Sequence, residues 1–258
     1  MKKRKFKFPI KIILILAIIS LVFFVLIGYI WKVLTTSDFF AVKQIVVRNS
    51  DVSFDYLKGK NIFSLDLKSY SWKALLSCPD CRKIRFTRVL PNCLLVDFVK
   101  RKPLALVKFY KNFAIDEQGI LFYPNVLEVA ELPIIFGLET KIFGPKPGVR
   151  YKLRELNLAL NIIKEFKNNK TFQGFTLKRI DVGNAESAGF FILVPKQAID
   201  YTKSNPQVEW TGFEVHIGEG NIREKIMVLG GLLMQAAKEW PNIKYIDLRF
   251  KEPVIKLK

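Results

Sequence analysis

Three cysteines are the residues whose spacing comes nearest to a chemical site. The chain holds Cys78, Cys81 and Cys93, and the first two lie in the sequence Cys-Pro-Asp-Cys. This C-x-x-C spacing occurs in redox motifs and in half of a zinc ribbon. A structural zinc site needs four ligands; Cys93 offers a third, while His216, the single histidine, lies far away in the sequence. We favour incidental thiols, with a local disulfide, metal binding and redox chemistry as the alternatives.

Other catalytic groups are sparse. Any Ser-His or Cys-His pair would have to use His216, which stands in an alternating, strand-like sequence, Phe213-Glu-Val-His-Ile217. Asp181 and Asp247 each follow an isoleucine near the end of a predicted strand, where aspartate more often closes a turn than transfers protons. The sequence contains no G-x-S-x-G, P-loop or dinucleotide fingerprint. We therefore expect no enzymatic activity, cofactor or metal.

The amino-terminal segment predicts a membrane anchor. Residues 1–11 hold six Lys or Arg and no acid, and the next 20 residues, Ile12–Trp31, carry no charge. At about 1.5 Å per residue, a helix of this length crosses the ~30 Å hydrocarbon core of a bilayer. A cleaved signal peptide is the alternative, but it has a shorter apolar part and a small-x-small cleavage site, which this segment lacks. We predict a cytoplasmic basic tail at 1–11, a transmembrane helix at 12–34 and extracytoplasmic domains beyond it.

The net charge narrows the choice of partners. The chain carries +19, and the seven bases of residues 1–35 leave +12 on the exported part. This positive charge is spread along the chain and suits contact with anionic lipid headgroups. Aromatic residues do not alternate with bases in one stripe. We therefore expect the lipid bilayer as a partner and no nucleic acid.

The exported part predicts an α+β fold in two domains. A β-α-α-β-β pattern of about 65 residues ends at Lys100-Arg101-Lys102-Pro103, because proline cannot donate to a strand ladder. Asp66 or Ser69 could cap its second helix. A mixed β-sheet domain with flanking helices follows. The first domain is expected to have strands near 40–48, 82–89 and 93–100 and helices near 53–58 and 68–77. The second domain is expected to have helices near 151–167 and 221–239 and strands near 104–109, 112–116, 120–123, 175–182, 189–194, 212–217, 243–249 and 253–257.

Several weak motifs, taken in order, resemble the FtsQ/DivIB family of bacterial division proteins. Gly59 and Asn61-Ile-Phe are similar to the family's G-x-N-[IL]-F, and Arg88-Val-Leu-Pro91 to its R-x-[LF]-P. Arg101-Lys-Pro-Leu-Ala105 resembles E-R-x-P-x-A, but Lys100 replaces the Glu, so we carry over no salt bridge from that position. Similar motifs continue at Asp116-Glu-Gln-Gly119, Leu132-Pro133, Gly218 and Ile246-Asp-Leu-Arg-Phe250.

The resemblance implies a POTRA domain at 39–103, a β-domain at 104–258 and a non-catalytic role at the division septum. In this family an upstream divisome recruiter is associated with the POTRA region. The carboxy-terminal strands bind the membrane-anchored coiled-coil proteins FtsB and FtsL, which regulate septal peptidoglycan synthesis. The alternative is a POTRA-containing scaffold for secretion or outer-membrane assembly. Such assembly proteins carry several POTRA units and a barrel, whereas this chain predicts one unit and no run of long amphipathic strands.

The end of the chain predicts a strand-based interface. Pro253-Val-Ile-Lys-Leu-Lys258 alternates apolar and basic residues, and a last strand at a sheet edge leaves backbone groups open to a partner. By the resemblance, Phe250 lies at the family's aromatic contact position. Arg249 could bind a partner carboxylate. The alternatives are a protected strand, a core phenylalanine and a solvated arginine. The predicted partner-binding residues are Arg249, Phe250, Glu252, Val254 and Lys256.

Overall fold

The structure is a computed structural model that describes residues 10–125, 129–195, 210–236 and 239–258, with side chains from residue 14 onward. The predicted basic tail at 1–11 lies outside it, apart from its last two residues. The fold is α+β, as predicted. Its contacts divide the chain into two compact units. The first holds the described residues up to Ser77 and Cys81–Val99, and the second holds Cys78–Asp80 and the described residues from Lys100 onward.

A long apolar helix opens the first unit. Helix α1 runs from Ile10 to Thr36 and includes the predicted span 12–34. Its segment Leu14–Thr36 is long and apolar enough to cross a membrane, with a mean hydropathy of 2.8. The carbonyls at a helix end lack partners within the helix. Asn61 Nδ2 donates to Leu34 O at 2.9 Å and to Ser37 O at 3.2 Å, which holds the end of α1 against the 59–64 loop.

The rest of the first unit is a three-stranded sheet with one helix. The elements are β1 Gln44–Arg48, α2 Leu67–Leu76, β2 Cys81–Val89 and β3 Cys93–Lys100. The strand order is β1-β3-β2, with β1 parallel to β3. The Asp66 side chain caps α2, as one of our two candidates predicted. The first predicted helix, at 53–58, shrinks to one 3-10 turn at Asp55–Leu57, because Phe54 offers no side-chain cap and Gly59 turns the chain at φ +78°.

The second unit is a nine-stranded mixed sheet with two long helices. The elements are β4 Ala105–Lys108, β5 Asn112–Ile115, β6 Leu121–Phe122, β7 Ile134–Phe136, α3 Arg154–Asn168, β8 Thr176–Asp181, β9 Gly189–Pro195, β10 Trp210–His216, α4 Ile222–Gln235, β11 Ile243–Asp247 and β12 Val254–Leu257. The strand order within the described residues is β12-β11-β10-β9-β8-β7-β4-β5-β6. Strand β7 has only three residues, too few for an alternating pattern, so the periodicity of the sequence did not predict it.

The core of the second unit lies between one face of this sheet and the helices α3 and α4. Strand β10 shows the alternation that results: Phe213 and Val215 are buried, whereas Trp210 and Glu214 are exposed. A sheet covered on one face leaves its other face to solvent. The predicted helix at 221–239 ends at Gln235 in the structure, and 237–238 lie outside the described residues.

Candidate partner-binding edge

The cysteines form a covalent structural element. Cys78 and Cys81 are disulfide-bonded, and Cys93 is a free thiol. Our preference for incidental thiols at the C-x-x-C motif was therefore wrong. Sequence spacing cannot decide the oxidation state, which depends on the environment as well as on the distance between the sulfurs. Sulfurs in a disulfide offer no thiolate to a metal, so the zinc alternative finds no support at these two positions.

The candidate catalytic residues lie in strands and turns. Asp181 Oδ1 accepts from Gly183 N at 3.0 Å, and Asp247 Oδ1 accepts from Arg249 N at 3.0 Å, so both aspartates close turns as expected. His216 is half-buried in β10, with its ring centroid 5.4 Å from that of Tyr245. A shallow cavity of about 230 Å³ brings His216, Asp181 and Ser187 onto one surface. In the described part of the chain no hydrogen bond between these side chains joins them into a relay.

Lys100, which stands where the family motif has glutamate, forms an ion pair of its own. Lys100 Nζ lies 2.7 Å from Asp80 Oδ2, with both side chains about half exposed. The neighbouring Arg101 pairs with Asp116 at 2.7 Å, and only 8% of each side chain is exposed. Asp116 Oδ1 also accepts from Gln118 N and Ile120 N. Two of the motifs on which the resemblance rests therefore meet in a buried ion pair.

The last strand lies at one edge of the nine-stranded sheet. Strand β12 runs antiparallel to β11, which is its single neighbour in the described part of the sheet. All of its residues are exposed, including 46% of Val254 and 51% of Leu257. An edge strand has backbone donors and acceptors on its outer side without a ladder partner. This side of β12 is the open backbone edge that the sequence predicts.

Arg249 is held in place beside this edge. Its Nε lies 3.0 Å from Asp247 Oδ1, and its Nη2 lies 2.6 Å from Asp247 Oδ2. The hydrogen bond from Arg249 keeps the pKa of Asp247 below its ordinary value, against the opposing effect of burial. The same hydrogen bond raises the pKa of Arg249. A guanidinium has five N–H donors, so the outer edge formed by Nη1 and Nη2 can still bind a partner carboxylate end-on.

Phe250 is exposed, contrary to the core alternative. Its side chain is 62% exposed and lies 5.9 Å from the Arg249 guanidinium. Beside it is a groove of about 280 Å³ between α4 and the loop that joins β11 to β12. The apolar wall of the groove comes from Val228, Leu248 and Pro253. The groove is open enough to take one large apolar side chain of a partner.

Several polar side chains that line this groove already form hydrogen bonds within the protein. Lys225 Nζ donates to Ile217 O and Glu219 O, both at 2.6 Å. Burial lowers the pKa of Lys225 below its ordinary value, against the opposing effect of the Asp247 carboxylate. The Asn221 side chain caps α4 through Glu224 N at 3.3 Å. These groups shape the groove and leave its apolar wall for a partner.

The structure brings most of the predicted interface residues together. Val254 pairs in register with Asp247, the residue that holds Arg249, and Phe250 lies in the loop between them. Lys256 lies on β12 with its ammonium 6.0 Å from the centroid of the Tyr245 ring. Glu252 is exposed in the same loop. Whether these five residues bind a partner stays a prediction.

Sequence reasoning missed the residues that position this edge. Asp247 was interpreted only as a turn residue, and Lys225 and Val228 of α4 were not singled out. Gly218, one of the motif residues, lies where a larger residue does not fit. A Cβ there would lie 2.7 Å from Glu186 O and 3.2 Å from Arg249 Cγ. The Ile-Asp-Leu-Arg spacing at 246–249 was the one local signal for the pairing of Asp247 with Arg249.

Two curated proteins resemble this chain over most of its length. It is 24% identical to the cell division protein FtsQ of a Geobacter species over 202 residues, which cover 76% of this chain and 65% of that protein. It is 21% identical to the cell division protein FtsQ of Geotalea daltonii over 239 residues, 88% of this chain and 80% of that one. No family model matches the chain. The chain thus spans just under two thirds of the first relative and is similar to FtsQ proteins at low identity.

Proposed function

We propose that this protein is an FtsQ-like, non-catalytic scaffold of bacterial cell division. The observation that carries the proposal is the open edge of β12 beside the exposed Phe250. Similarity to two proteins named as cell division protein FtsQ supports the same assignment. The scaffold captures partners by strand addition and needs no chemistry of its own.

The protein crosses the cytoplasmic membrane once, through α1, with its basic end inside the cell. The dense positive charge of residues 1–11 favours this orientation. Both folded units then lie outside the cytoplasmic membrane at the division septum. The first unit, with its strand order β1-β3-β2, serves as a POTRA domain that receives an upstream divisome recruiter.

The second unit binds FtsB-like and FtsL-like coiled-coil proteins and thereby helps to regulate septal peptidoglycan synthesis. A partner strand adds to β12, so backbone hydrogen bonds supply affinity along the edge. Phe250 and the adjacent groove anchor apolar side chains, and exposed aromatic anchors of this kind contribute about 2 kcal/mol or more. Arg249, already oriented by Asp247, binds a carboxylate of the partner.

Site-specific photo-crosslinking in living cells tests this proposal. A photoreactive residue is placed in turn at positions 250, 252, 254 and 256, and at Asn161 on the exposed side of α3 as the matched control. We expect the four edge positions, and not the control, to capture small single-pass coiled-coil proteins. Capture of a secretion or outer-membrane assembly component, or crosslinks only within the chain, would refute the division role while leaving the membrane span standing.

Two variants separate binding from folding. Replacing Arg249 and Phe250 together by alanine should abolish capture and leave the unfolding transition cooperative, because Phe250 is mostly exposed and the lost bond from Arg249 to Asp247 contributes only about 1–2 kcal/mol. Deleting residues 253–258 should reduce binding far more than stability. Unchanged capture by the folded double variant would move the interface elsewhere, and loss of cooperative unfolding in the deletion would make β12 part of the core.

A further inference from the structure

Helix α4 has one side that is mostly exposed in the described chain, although Met227 on it also lines a shallow cavity with residues of α3. Its buried face packs into the core through Ile222, Ile226, Leu229 and Leu233. A second side, with Lys225 and Val228, lines the groove beside Phe250. The side that remains carries Met227, Gly231 and Met234, spaced i, i+4 and i+7 along one stripe of the helix. We call these three residues the Met–Gly–Met stripe.

The composition of this stripe is unusual for a solvent-facing helix. Met227 is 57% exposed and Met234 is 70% exposed. The chain contains three methionines, one of which is Met1, so both internal methionines lie on this stripe. The solvent side of an amphipathic helix is normally polar. Methionine is flexible and polarisable, and it is over-used on surfaces that bind other proteins.

No contact within the described chain requires a glycine at position 231, the centre of the stripe. Its neighbour Gly230 does: a Cβ there would lie 3.3 Å from Thr171 Cγ2 in the adjacent turn. A Cβ at Gly231, in contrast, would meet nothing within 4 Å. Glycine inside a helix is destabilising relative to alanine. Gly231 instead leaves a flat place where the backbone of a second helix can approach closely.

We propose that the Met–Gly–Met stripe is a self-association surface on which α4 of a second copy of this chain lies antiparallel. The stripe is close to symmetric about Gly231, with methionines four residues before it and three residues after it. When two copies cross at Gly231, Met227 of each lies beside Met234 of the other. A two-fold interface must be self-complementary in just this way.

The electrostatics also favour a second copy in this orientation. The chain carries +19 and repels itself over most surfaces, but the stripe itself is uncharged. In an antiparallel pair centred on Gly231, Gln235 of each copy lies level with Met227 of the other, so no two charged side chains of α4 face each other across the pair. The two helix dipoles then oppose each other favourably.

The contact between two α4 helices is small, so the dimer should depend on the membrane that holds both copies. One helix pair buries less than the ~1,200 Å² of a standard stable interface, so association in dilute solution is weak. A shared membrane raises the effective concentration of tethered copies and can make such a weak contact effective. The full-length protein in membranes is therefore the correct sample for the test.

Disulfide trapping in membranes tests the proposal. All variants carry Cys93→Ser to remove the free thiol. With Gly231→Cys we expect a product of twice the 29.8 kDa chain mass under mild oxidation, several-fold above the matched control Asn161→Cys on exposed α3. Facing Cα atoms at a close crossing lie within the 4.4–6.8 Å typical of disulfides.

A mixed pair of variants tests the antiparallel direction. Co-expressed Met227→Cys and Met234→Cys copies should give a mixed dimer, whereas each alone should give little, because like positions lie about 9–12 Å apart at 1.5 Å rise per residue. Self-dimers in excess of the mixed dimer would overturn the arrangement. Capture of another protein by Gly231→Cys would overturn self-association in favour of a different helical partner.

Gly231→Ala separates association from folding. Because its Cβ meets open space, alanine should raise the melting temperature by about 2–4 °C through helix propensity. The same added methyl group should reduce trapping of the Met227→Cys and Met234→Cys pair. A variant that is more stable and still traps as efficiently as its parent would overturn the role of Gly231.

Discussion

The pairing of Asp247 with Arg249 gives the sharpest test of how the candidate edge is built. Asp247 accepts hydrogen bonds from Arg249 N at 3.0 Å, Nε at 3.0 Å and Nη2 at 2.6 Å. Its side chain is 6% exposed, whereas that of Arg249 is 37% exposed. The perturbation is Asp247→Asn, which keeps an oxygen for the backbone N–H but removes the charge that holds the guanidinium.

The expected loss is moderate. A hydrogen bond to a charged group contributes about 1.5–3 kcal/mol, and solvent screening of the exposed guanidinium reduces this to about 1–2 kcal/mol. For a unit of this size the melting temperature should fall by about 2–4 °C per kcal/mol. Full-length protein in detergent, with Trp31→Phe and Trp72→Phe in every variant so that the fluorescence comes from Trp210 and Trp240, reports on the second unit.

The pH dependence checks the mechanism. The pKa of Asp247 is lower in the folded protein, first because of the hydrogen bond from Arg249. Its contribution to stability is therefore complete above its unfolded pKa, near 4, and is lost as the pH falls through the folded pKa. The deficit of Asp247→Asn should be full at pH 7 and should shrink as the pH falls below the unfolded pKa, near 4.

The matched control is Asp181→Asn. Asp181 closes a similar turn, with Oδ1 accepting from Gly183 N at 3.0 Å, and no guanidinium bond to it occurs within the described residues. We expect its melting temperature to change less than that of Asp247→Asn. A deficit for Asp247→Asn that persists unchanged at pH 2, or no deficit at pH 7, would refute the assigned role of the charge.

Three further predictions concern the rest of the structure. Asp116→Ala should destabilise the second unit by about 3–5 kcal/mol, because it leaves the buried Arg101 guanidinium unpaired; chemical denaturation measures this. Gly137→Ala should cost about 3 kcal/mol or more, since a Cβ would lie 2.2 Å from Gly183 N and the residue has φ +88°; thermal unfolding measures it. Asn61→Ala should cost about 1–2 kcal/mol by freeing Leu34 O, and proteolysis at the α1 end should become faster.

Matched controls exist for the first two of these variants. Asp80→Ala removes the exposed partner of Lys100 and should cost less than about 1 kcal/mol. Gly174→Ala has a similar φ of +87° but meets nothing within 4 Å, so it isolates backbone strain from collision. Equal losses for Asp116→Ala and Asp80→Ala, or for Gly137→Ala and Gly174→Ala, would contradict the proposed causes.

Long or strictly periodic segments were predictable from the sequence. An uncharged run of 20 residues marks α1, because hydrocarbon excludes charge and requires a helix. Alternation in β3 places Leu94, Val96 and Phe98 on one buried face, as observed. A segment at the end of the chain, alternating apolar residues with lysine, predicted a strand, and β12 lies at the sheet edge.

Only the tertiary structure decided the features that depend on residues far apart in the chain. The oxidation of Cys78 and Cys81 had no sufficient local signal, and the periodicity of the sequence did not mark strand β7. The exposure of Phe250 depends on the groove that α4 forms beside it. Local periodicity determines which face of an element is apolar, because it reflects backbone geometry alone. Which apolar residues remain uncovered depends on how distant elements pack, and no short stretch of sequence encodes that.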